Sequence, residues 1–537
     1  MSEQLTNHFI VCGMGHVGFR IVLLLRRLQL PVAVIYDKAP VSWVQQATRV
    51  GAVCLEGDAR SEVLLRQACV GQAKGLIAVT DQDMVNLSVA LDGLRLNASL
   101  ALTVRMFDQE LGRYLNEQLP SVRVLSATAL AAPVFVAAAL GDEALCCFDF
   151  GEHSYVVTGG VCEEEESAQA DSEATHLFHN VEGRIAYAGA PRENAKREQT
   201  LSIRQAASSR PRRHWSSVEI TDLAAVAFAA LRQIPPAVHV LMCGLTLVIL
   251  IGIATVRSSM HLSYLDSLYF IVTTITTTGY GDVSFLQAPV YAKLVGCFLM
   301  VSGAAMLALL FGIITDALLS RRFQGLLAGN HVRRHGHIVL AGNGNIASRI
   351  VQEILNEKKE VVAVCPGGHA SVSLRGLRVP VIEGDARLEA VLRHASIEHA
   401  TAIIAVHDDD VVNLGIALLA KKLNPNLRTV VRVFDGELAE KLEHQLAMDR
   451  VMSVSAVSAP TFVAACLFGG VKQAAAWEHC LLVLRELQGE DSGLECDLSV
   501  TLKQDPGSGT LRVVSGESVA TEAPRMHVTL HKLGDID

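Results

Sequence analysis

The segment HFIVCGMGHVGFRIV, His8 to Val22, returns as HIVLAGNGNIASRIV, His337 to Val351. The register continues with Glu56-Gly-Asp-Ala-Arg60 against Glu383-Gly-Asp-Ala-Arg387, and with Val104-Arg-Met-Phe-Asp108 against Val431-Arg-Val-Phe-Asp435. Ala132-Pro133 then answers Ala459-Pro460. A chain that carries one pattern twice is confined to two copies of one domain, plus whatever lies between and after them. Within each copy, apolar runs such as Phe9 to Cys12, Val32 to Tyr36 and Leu76 to Val79 alternate with helical stretches such as Arg20 to Leu28 and Asp83 to Leu94. That alternation builds βαβ units, and so a Rossmann-like domain with a parallel sheet covered on both faces.

The interval between the copies is of another kind. Ala237 to Val256 carries no formal charge and is long enough to span a hydrocarbon layer about 30 Å thick, as is Leu294 to Ile314. Half the residues are hydrophobic and the mean hydropathy is +0.33, a balance that suits a membrane part diluted by soluble domains. Arg204, Arg210, Arg212, Arg213 and Arg232 precede the first span, and Arg321, Arg322, Arg333 and Arg334 follow the second. Only Arg257 and Lys293 lie between, so the positive-inside rule puts both soluble parts in the cytoplasm. The amphipathic stretch Leu223 to Leu231 is read as an interfacial or linker helix.

Between the spans, Tyr264 to Thr276 is apolar and helix-length, yet the interval is too short for another crossing with its turns. A re-entrant half-helix with an extended return fits, and irregular backbone at that depth must line a protein-walled or watery path. The return reads TTTGYGD, Thr276 to Asp282. Gly279 and Gly281 permit backbone conformations in which successive carbonyls share one direction. Four such strands around an axis would stack rings of oxygens from Thr277, Thr278, Gly279 and Tyr280, with the Thr277 hydroxyl adding a ring, and these can replace the water shell of K+. The half-helix aims its partly negative C-terminus at the same place. Thr277-Thr278-Gly279-Tyr280-Gly281, followed by Asp282, resembles the TVGYG filter of the potassium-channel family, with Thr278 in place of valine. By that resemblance Gly303, in VSGAAML of the second span, is the inner-helix hinge; close packing of small residues explains the same glycine.

In the first copy Gly13-Met14-Gly15-His16-Val17-Gly18 follows a strand and opens a helix, and Asp37 closes the next strand. Backbone amides at such a turn approach a diphosphate, while a carboxylate at the second strand end accepts from ribose hydroxyls. NAD(H) or an adenine nucleotide such as ATP or ADP fits. In the second copy Gly342-Asn343-Gly344-Asn345-Ile346-Ala347 keeps the turn, but Pro366 stands where the first copy has Asp37. A weaker or different ligand, or a role in assembly, is expected there.

Together the copies resemble the RCK (KTN, TrkA-N) domains that gate potassium channels and transporters, here with one before and one after a two-span pore. The resemblance implies Asp58, Ala59, Thr80 and Arg105 as further nucleotide contacts, with Asp385 and Ala386 in the weaker second site. It also implies a homotetramer whose eight RCK domains close an octameric ring. Calcium-gated members place carboxylates where this chain has Val104 to Phe107 and Val431 to Phe434, so no Ca2+ site is carried over. The expected fold is a membrane α-helical pore domain, made of two transmembrane helices, a pore helix and a filter loop. It is flanked by two α/β Rossmann-like RCK domains, each with a small accessory α+β subdomain.

The expected boundaries are 1–140 for the first RCK domain, 141–205 for a β-rich accessory subdomain and 206–235 for a linker. They continue as 236–320 for the pore, 321–335 for a linker, 336–468 for the second RCK domain and 469–537 for a C-terminal accessory subdomain. Tyr155 to Val157, Thr510 to Val514 and His527 to Leu530 are the strand-like runs of the accessory parts.

The net charge of -9 and pI near 6.1 argue against a nucleic-acid partner. The twelve cysteines form no Cys-x-x-Cys pair or zinc spacing, so reduced thiols, including Cys146 and Cys147, are expected, with K+ in the filter as the one metal and no Zn2+ site. The run Glu163 to Glu166 reads as a solvated loop, and Asp408 to Asp410 as a solvated strand end. No signal peptide is expected from the opening residues. The chain is read as a multi-pass protein of the cell (inner) membrane and not as an enzyme. Two other readings stay open: a membrane-anchored NAD-binding oxidoreductase, which lacks an evident general acid, and a regulatory subunit of a separate K+ transporter, which leaves the pore segment idle.

Overall fold

The computed structural model describes residues 5–119, 121–162, 174–181, 184–187, 198–206, 236–327, 334–367, 374–434, 436–446, 448–486, 498–505, 510–514 and 525–534. Glu163 to Glu166, Leu223 to Leu231, Arg210, Arg212, Arg213, Arg232, Arg333 and Asp435 lie outside the described residues. The chain divides into two units, Met1–Arg213 with Gly329–Asp537, and His214–Ala328.

In the first unit, copy one runs β1 (Phe9–Cys12), α1 (His16–Arg27), β2 (Val32–Tyr36), α2 (Val41–Arg49), β3 (Val53–Glu56) and α3 (Glu62–Gln67). It continues as β4 (Gly75–Ala78), α4 (Asp83–Leu96), β5 (Ala101–Arg105), α5 (Gln109–Gln118), β6 (Val122–Leu125) and α6 (Ala127–Leu140). The strands form one sheet in the order β3-β2-β1-β4-β5-β6, and every pairing is parallel. FIVC and GLIA are buried along their whole length, as central strands covered on both faces must be. The order reverses between β1 and β4, which opens a crevice at their C-terminal ends.

Copy two repeats this sheet as β14-β13-β12-β15-β16-β17. Its strands are β12 (Ile338–Gly342), β13 (Val361–Cys365), β14 (Val381–Glu383), β15 (Ala402–Val406), β16 (Arg428–Arg432) and β17 (Arg450–Met452). The two copies exchange their last helices. Phe135 of α6 is fully buried in a cluster with Ile346, Ile350 and Ile404 of copy two. Phe462, on the helix Val454–Leu467 of copy two, is buried among Val11, Ile21 and Val22 of copy one. The boundary at 140 keeps α6 with copy one in sequence, whereas in space it covers copy two. Arg428 of copy two fixes the exchange by donating from Nε to the Ala138 carbonyl at 2.6 Å, a cation at the C-terminal turn of α6.

The accessory segments differ from the α+β expectation: among their described residues only strands occur. Strands β7 (Ala144–Phe150), β8 (His153–Cys162), β9 (Thr175–Val181), β10 (Arg184–Tyr187) and β11 (Glu198–Gln205) form an antiparallel sheet ordered β10-β9-β11-β8-β7. Strands β18 (Val471–Trp477), β19 (Cys480–Glu486), β20 (Leu498–Gln504), β21 (Leu511–Val514) and β22 (Arg525–Lys532) follow the same plan, ordered β18-β19-β22-β20-β21. The repeat therefore extends through the accessory parts, past the last sequence match. The two sheets share one core, with Phe148, Tyr155 and Phe178 of the first against Leu482, Leu502 and Leu530 of the second. The other face of each sheet meets a helix, with Cys147 and Val156 beside α6 and Ala474, Leu481 and Val483 beside the helix Val454–Leu467.

Among its described residues the second unit has three α-helices, Pro236–Met260, Tyr264–Ile275 and Val290–Leu327. The outer two are long and apolar enough to cross a membrane. The last runs beyond the expected boundary at 320. The short helix starts at Ser263, whose Oγ accepts from the Asp266 N–H at 3.1 Å and donates to the Asp266 carboxylate at 2.7 Å. Ile271, Val256 and Leu299 form the junction of the three helices.

Candidate functional site

The irregular segment that follows the helix Tyr264–Ile275 has an unusual backbone. Thr277, Gly279 and Gly281 have φ of 57°, 51° and 81°, whereas Thr278 and Tyr280 keep negative φ. A backbone that alternates hand residue by residue turns successive carbonyls to one side. Sequence reasoning assigned this freedom to the two glycines and missed Thr277, a β-branched residue held in the left-handed region at a cost of about 1–3 kcal/mol. The amides point the other way. Thr278 and Gly279 both donate to the Thr273 carbonyl, at 3.0 and 3.1 Å, and Thr277 donates to Thr274 at 3.2 Å. The last turn of the pore helix thus takes the N–H groups, and among the described residues the carbonyls of Thr277, Thr278 and Gly279 have no backbone donor. Asp282 follows the segment, its Oδ1 accepting from the Val283 N–H at 3.1 Å. A Cβ at Gly303 would lie 3.0 Å from Ile275 Cγ1, so this glycine lets the inner helix touch the base of the segment. The helix is continuous through it.

In copy one the glycine turn is built for close approach. Gly13 has a φ of +106°, and a Cβ there would lie 2.9 Å from the Thr80 nitrogen. A Cβ at Gly18 would lie 1.9 Å from the Gly13 carbonyl oxygen, which pins helix α1 against the turn. At Gly15 nothing stands within 4 Å of that position, leaving open space over the helix N-terminus. Met14, Val17 and Ala59 are buried beneath it. Asp37 is exposed at the end of β2.

Asn86, fully buried, ties the neighbouring strand ends together. Its Oδ1 accepts from the Thr80 backbone and hydroxyl at 2.8 and 2.7 Å, and its Nδ2 donates to the Thr80 and Arg105 carbonyls, each at 3.0 Å. Arg105 lies 4.5 Å over the Phe107 ring, and its buried Nε has no partner. Burial disfavours its charge, an effect that the nearby Asp81 and Asp83 offset in part. No carboxylate pairs with Arg105 among the described residues, so it is placed to meet an anion. Asp58 is held by Arg60 at 2.7 Å, and that hydrogen bond holds its carboxyl below the usual range. Its direct partner is therefore a neighbour in sequence.

Copy two places the matching residues differently. The positive φ moves from the first glycine to the second, Gly344 at 78°, and Gly342 lacks it. The Asn343 Oδ1 is buried without a partner. His407 occupies the place of Thr80, bonded through its backbone to Asn413 as Thr80 is to Asn86. Arg432 is paired with Asp408 at 2.9 Å. Asp409 caps the helix Asp410–Leu423, and Asp410 accepts from the Phe434 amide, so each acid of the run has a protein partner. Asp385 is taken by Arg387 at 2.7 Å, and Ala386 and Ile346 are buried beside it. Asn345 is exposed.

The TrkA-N domain family matches residues 9–126 and 338–454, and the ion channel family matches residues 241–320. The chain thus carries two matches to the TrkA-N domain, one on each side of a match to the ion channel domain. The ion channel match holds the two helices that are long and apolar enough to cross a membrane, which fits a membrane protein. The voltage-gated potassium channel Kch of Escherichia coli is 26% identical over 187 residues, covering 34% of this chain and 44% of Kch. Probable potassium channel protein 2 of Methanocaldococcus jannaschii is 26% identical over 189 residues, covering 34% of this chain and 54% of that protein. An uncharacterized protein of Methanothermus fervidus is 31% identical over 201 residues, covering 36% of this chain and 31% of its own length. The chain thus spans between about a third and about half of the relatives it matches. The solved structure of the GsuK channel bound to NAD matches the fold with a TM-score of 0.52 at 13% identity, over 98% of this chain and 77% of GsuK. A crystal structure of the GsuK RCK domain matches with a TM-score of 0.50 at 12% identity, over 99% and 94%.

Proposed function

We propose that this chain is the subunit of a potassium-selective channel gated by a nucleotide at its first RCK domain. The observation that carries the reading is the Thr277–Gly281 segment, in which the amides of Thr277, Thr278 and Gly279 donate to the last turn of the preceding helix while the carbonyls of the same three residues have no backbone donor among the described residues. Four copies around an axis would present those oxygens, with the Thr277 hydroxyl, as successive cages for a dehydrated K+ ion. The named channels among the relatives are potassium channels, which favours a channel over an enzyme. Purified protein in liposomes should pass K+ and exclude Na+ in a flux assay; equal permeation of the two ions would overturn the reading.

The gating ligand is NAD(H) or an adenine nucleotide. Its diphosphate lies over Gly15 and the N-terminus of α1, its ribose at Asp37, and Thr80 and Arg105 stand at the far strand ends. GsuK, which shares the fold, is described bound to NAD. The second crevice, with Pro366 and a paired Arg432, takes nucleotide more weakly. A homotetramer supplies eight RCK domains for one ring. Met84 and Leu91 on α4, and Val411 and Leu418 at matching positions on the helix of copy two, are exposed apolar residues that such a ring would cover. The pore spans the cell (inner) membrane with both RCK domains in the cytoplasm, and the inner helix bends at Gly303. Ring shapes that differ in nucleotide affinity shift the open fraction tenfold for each 1.4 kcal/mol or so of difference.

A further inference from the structure

His16, the first residue of α1 in the glycine turn, is packed against the other copy. Its ring stacks on Phe434 of copy two, with centroids 4.3 Å apart and planes at 19°. The edge of Trp43, on α2 just beyond Asp37, meets the same imidazole at 4.9 Å, and Phe19 stacks on Trp43 at 4.9 Å. On the far side the Arg432 guanidinium lies 4.6 Å from the Phe434 ring centre. One continuous stack therefore runs from the ribose end of the first crevice, through its phosphate turn, into the strand end of the second copy.

The stack is clamped at both sides. Arg20, one turn after His16 on α1, donates from Nε to Ser455 Oγ at 3.0 Å and from Nη2 to the Phe434 carbonyl at 3.4 Å. The Phe434 amide is fixed by Asp410 at 3.0 and 3.2 Å. Phe434 is thus held by its own domain, and His16 rests on it. The reciprocal position cannot do the same, because the residue of copy two that matches His16 is Asn345, which has no ring.

The backbone N–H of His16 is among the free amides at the N-terminus of α1, the group that a diphosphate over Gly15 would engage. Its side chain is committed to copy two. We propose that Phe434 is a positioning residue for the first nucleotide site: it fixes His16, so that occupancy of the turn and the seating of copy two against copy one bias each other. Coupling of this kind is reciprocal. The proposal rests on the nucleotide reading above and adds the route by which the second domain, which has the poorer site, takes part in the response.

Full-length wild type and Phe434→Leu are compared by calorimetry with NAD+ and by K+ current in planar bilayers with and without saturating NAD+. Phe434 belongs to copy two and not to the pore segment, so the variant should still conduct K+, while its NAD+ affinity should fall by the factor of the coupling removed, on the order of fivefold. The ratio of currents with and without NAD+ should collapse toward one, a loss of about fivefold or more. Phe434→Tyr, which restores a flat ring, should restore the ratio, a rescue that a purely structural role would not require. If leucine at this position impairs folding, Phe434→Met, of similar volume, is read in its place. A leucine or methionine variant with the wild-type current ratio overturns the proposal alone. A wild-type protein that binds no NAD+ overturns the nucleotide reading and this proposal with it.

Discussion

The two Rossmann copies share strand order and helix exchange, yet their crevices differ at several of the positions that would meet a ligand, Asp37 against Pro366 and Thr80 against His407 among them. Copy one has an open Gly15, an exposed Asp37 and an Arg105 with no carboxylate partner among the described residues. Copy two has a turn of another shape, Pro366, and an arginine already paired with Asp408. Elements that hold the sheet together recur: Asn86 and Asn413 tie the same strand ends, and Arg60 and Arg387 take the same aspartates. Residues under packing constraint have stayed alike, while residues facing the crevice have diverged.

The sharpest contrast lies at Gly18 and its counterpart Ala347. Gly18→Ala would drive a methyl to 1.9 Å from the Gly13 oxygen, so the turn must open at a cost of about 3–4 kcal/mol. A large fall in melting temperature and loss of NAD+ binding by calorimetry are expected. Ala347→Gly should cost only about 1 kcal/mol, the ordinary penalty of glycine in a helix. Equal effects at the two positions would break the comparison.

Asp37→Ala should weaken NAD+ by about 2 kcal/mol, roughly 30-fold, by removing a charged acceptor for the ribose hydroxyls. Pro366→Asp, by itself, should leave the calorimetric stoichiometry at one NAD+ per chain, because the second turn has the wrong shape. A second equivalent would show that one side chain, and not the backbone, separates the crevices.

Acid should act on both copies alike. His8 and His337 are fully buried, each with Nε2 within 2.8 Å of a carbonyl, Ala68 or Ala395, and burial is the larger influence, holding both imidazoles below their ordinary pKa. Protons then bind the unfolded chain more tightly than the folded one. The penalty is absent above about pH 6.5, grows as pH falls toward the folded values, and saturates below them. Each histidine contributes up to about 1.4 kcal/mol per pH unit in that window. Melting temperature should drop between pH 7 and pH 5.5, and removing either histidine by substitution with glutamine should flatten the slope by a similar amount.

The smallest effect is expected at Asp408, whose side chain is 79% exposed. Asp408→Asn should change stability by less than about 0.5 kcal/mol and leave NAD+ affinity untouched. A gain in nucleotide binding would mean that the ion pair, and not the turn, closes the second crevice.

Much of this was legible in the sequence, and the limits have physical causes. The Thr276–Asp282 segment stood out as seven residues between two apolar spans, because few backbones satisfy their polar groups at membrane depth. The Gly13–Gly18 turn and Asp37 were found because strand, glycine turn and helix are local. The accessory strands were noticed only in fragments, since short alternating runs specify a sheet weakly until a second face covers them. The positive φ of Thr277 left no trace in residue type. Neither did the partners of Asp58 and of the Asp408–Asp410 run.

What the sequence determined by itself was the repeat, the order of pore and flanking domains, and the chemistry available at each strand end, all properties of near neighbours along the chain. Only the tertiary structure decided that Phe135 and Phe462 bury themselves in each other's domains, that the two accessory sheets share one core, and that His16 rests on Phe434. These contacts join residues hundreds of positions apart between copies of nearly the same pattern. An apolar face in either copy fits either partner equally well, and only three-dimensional packing selects which one it meets.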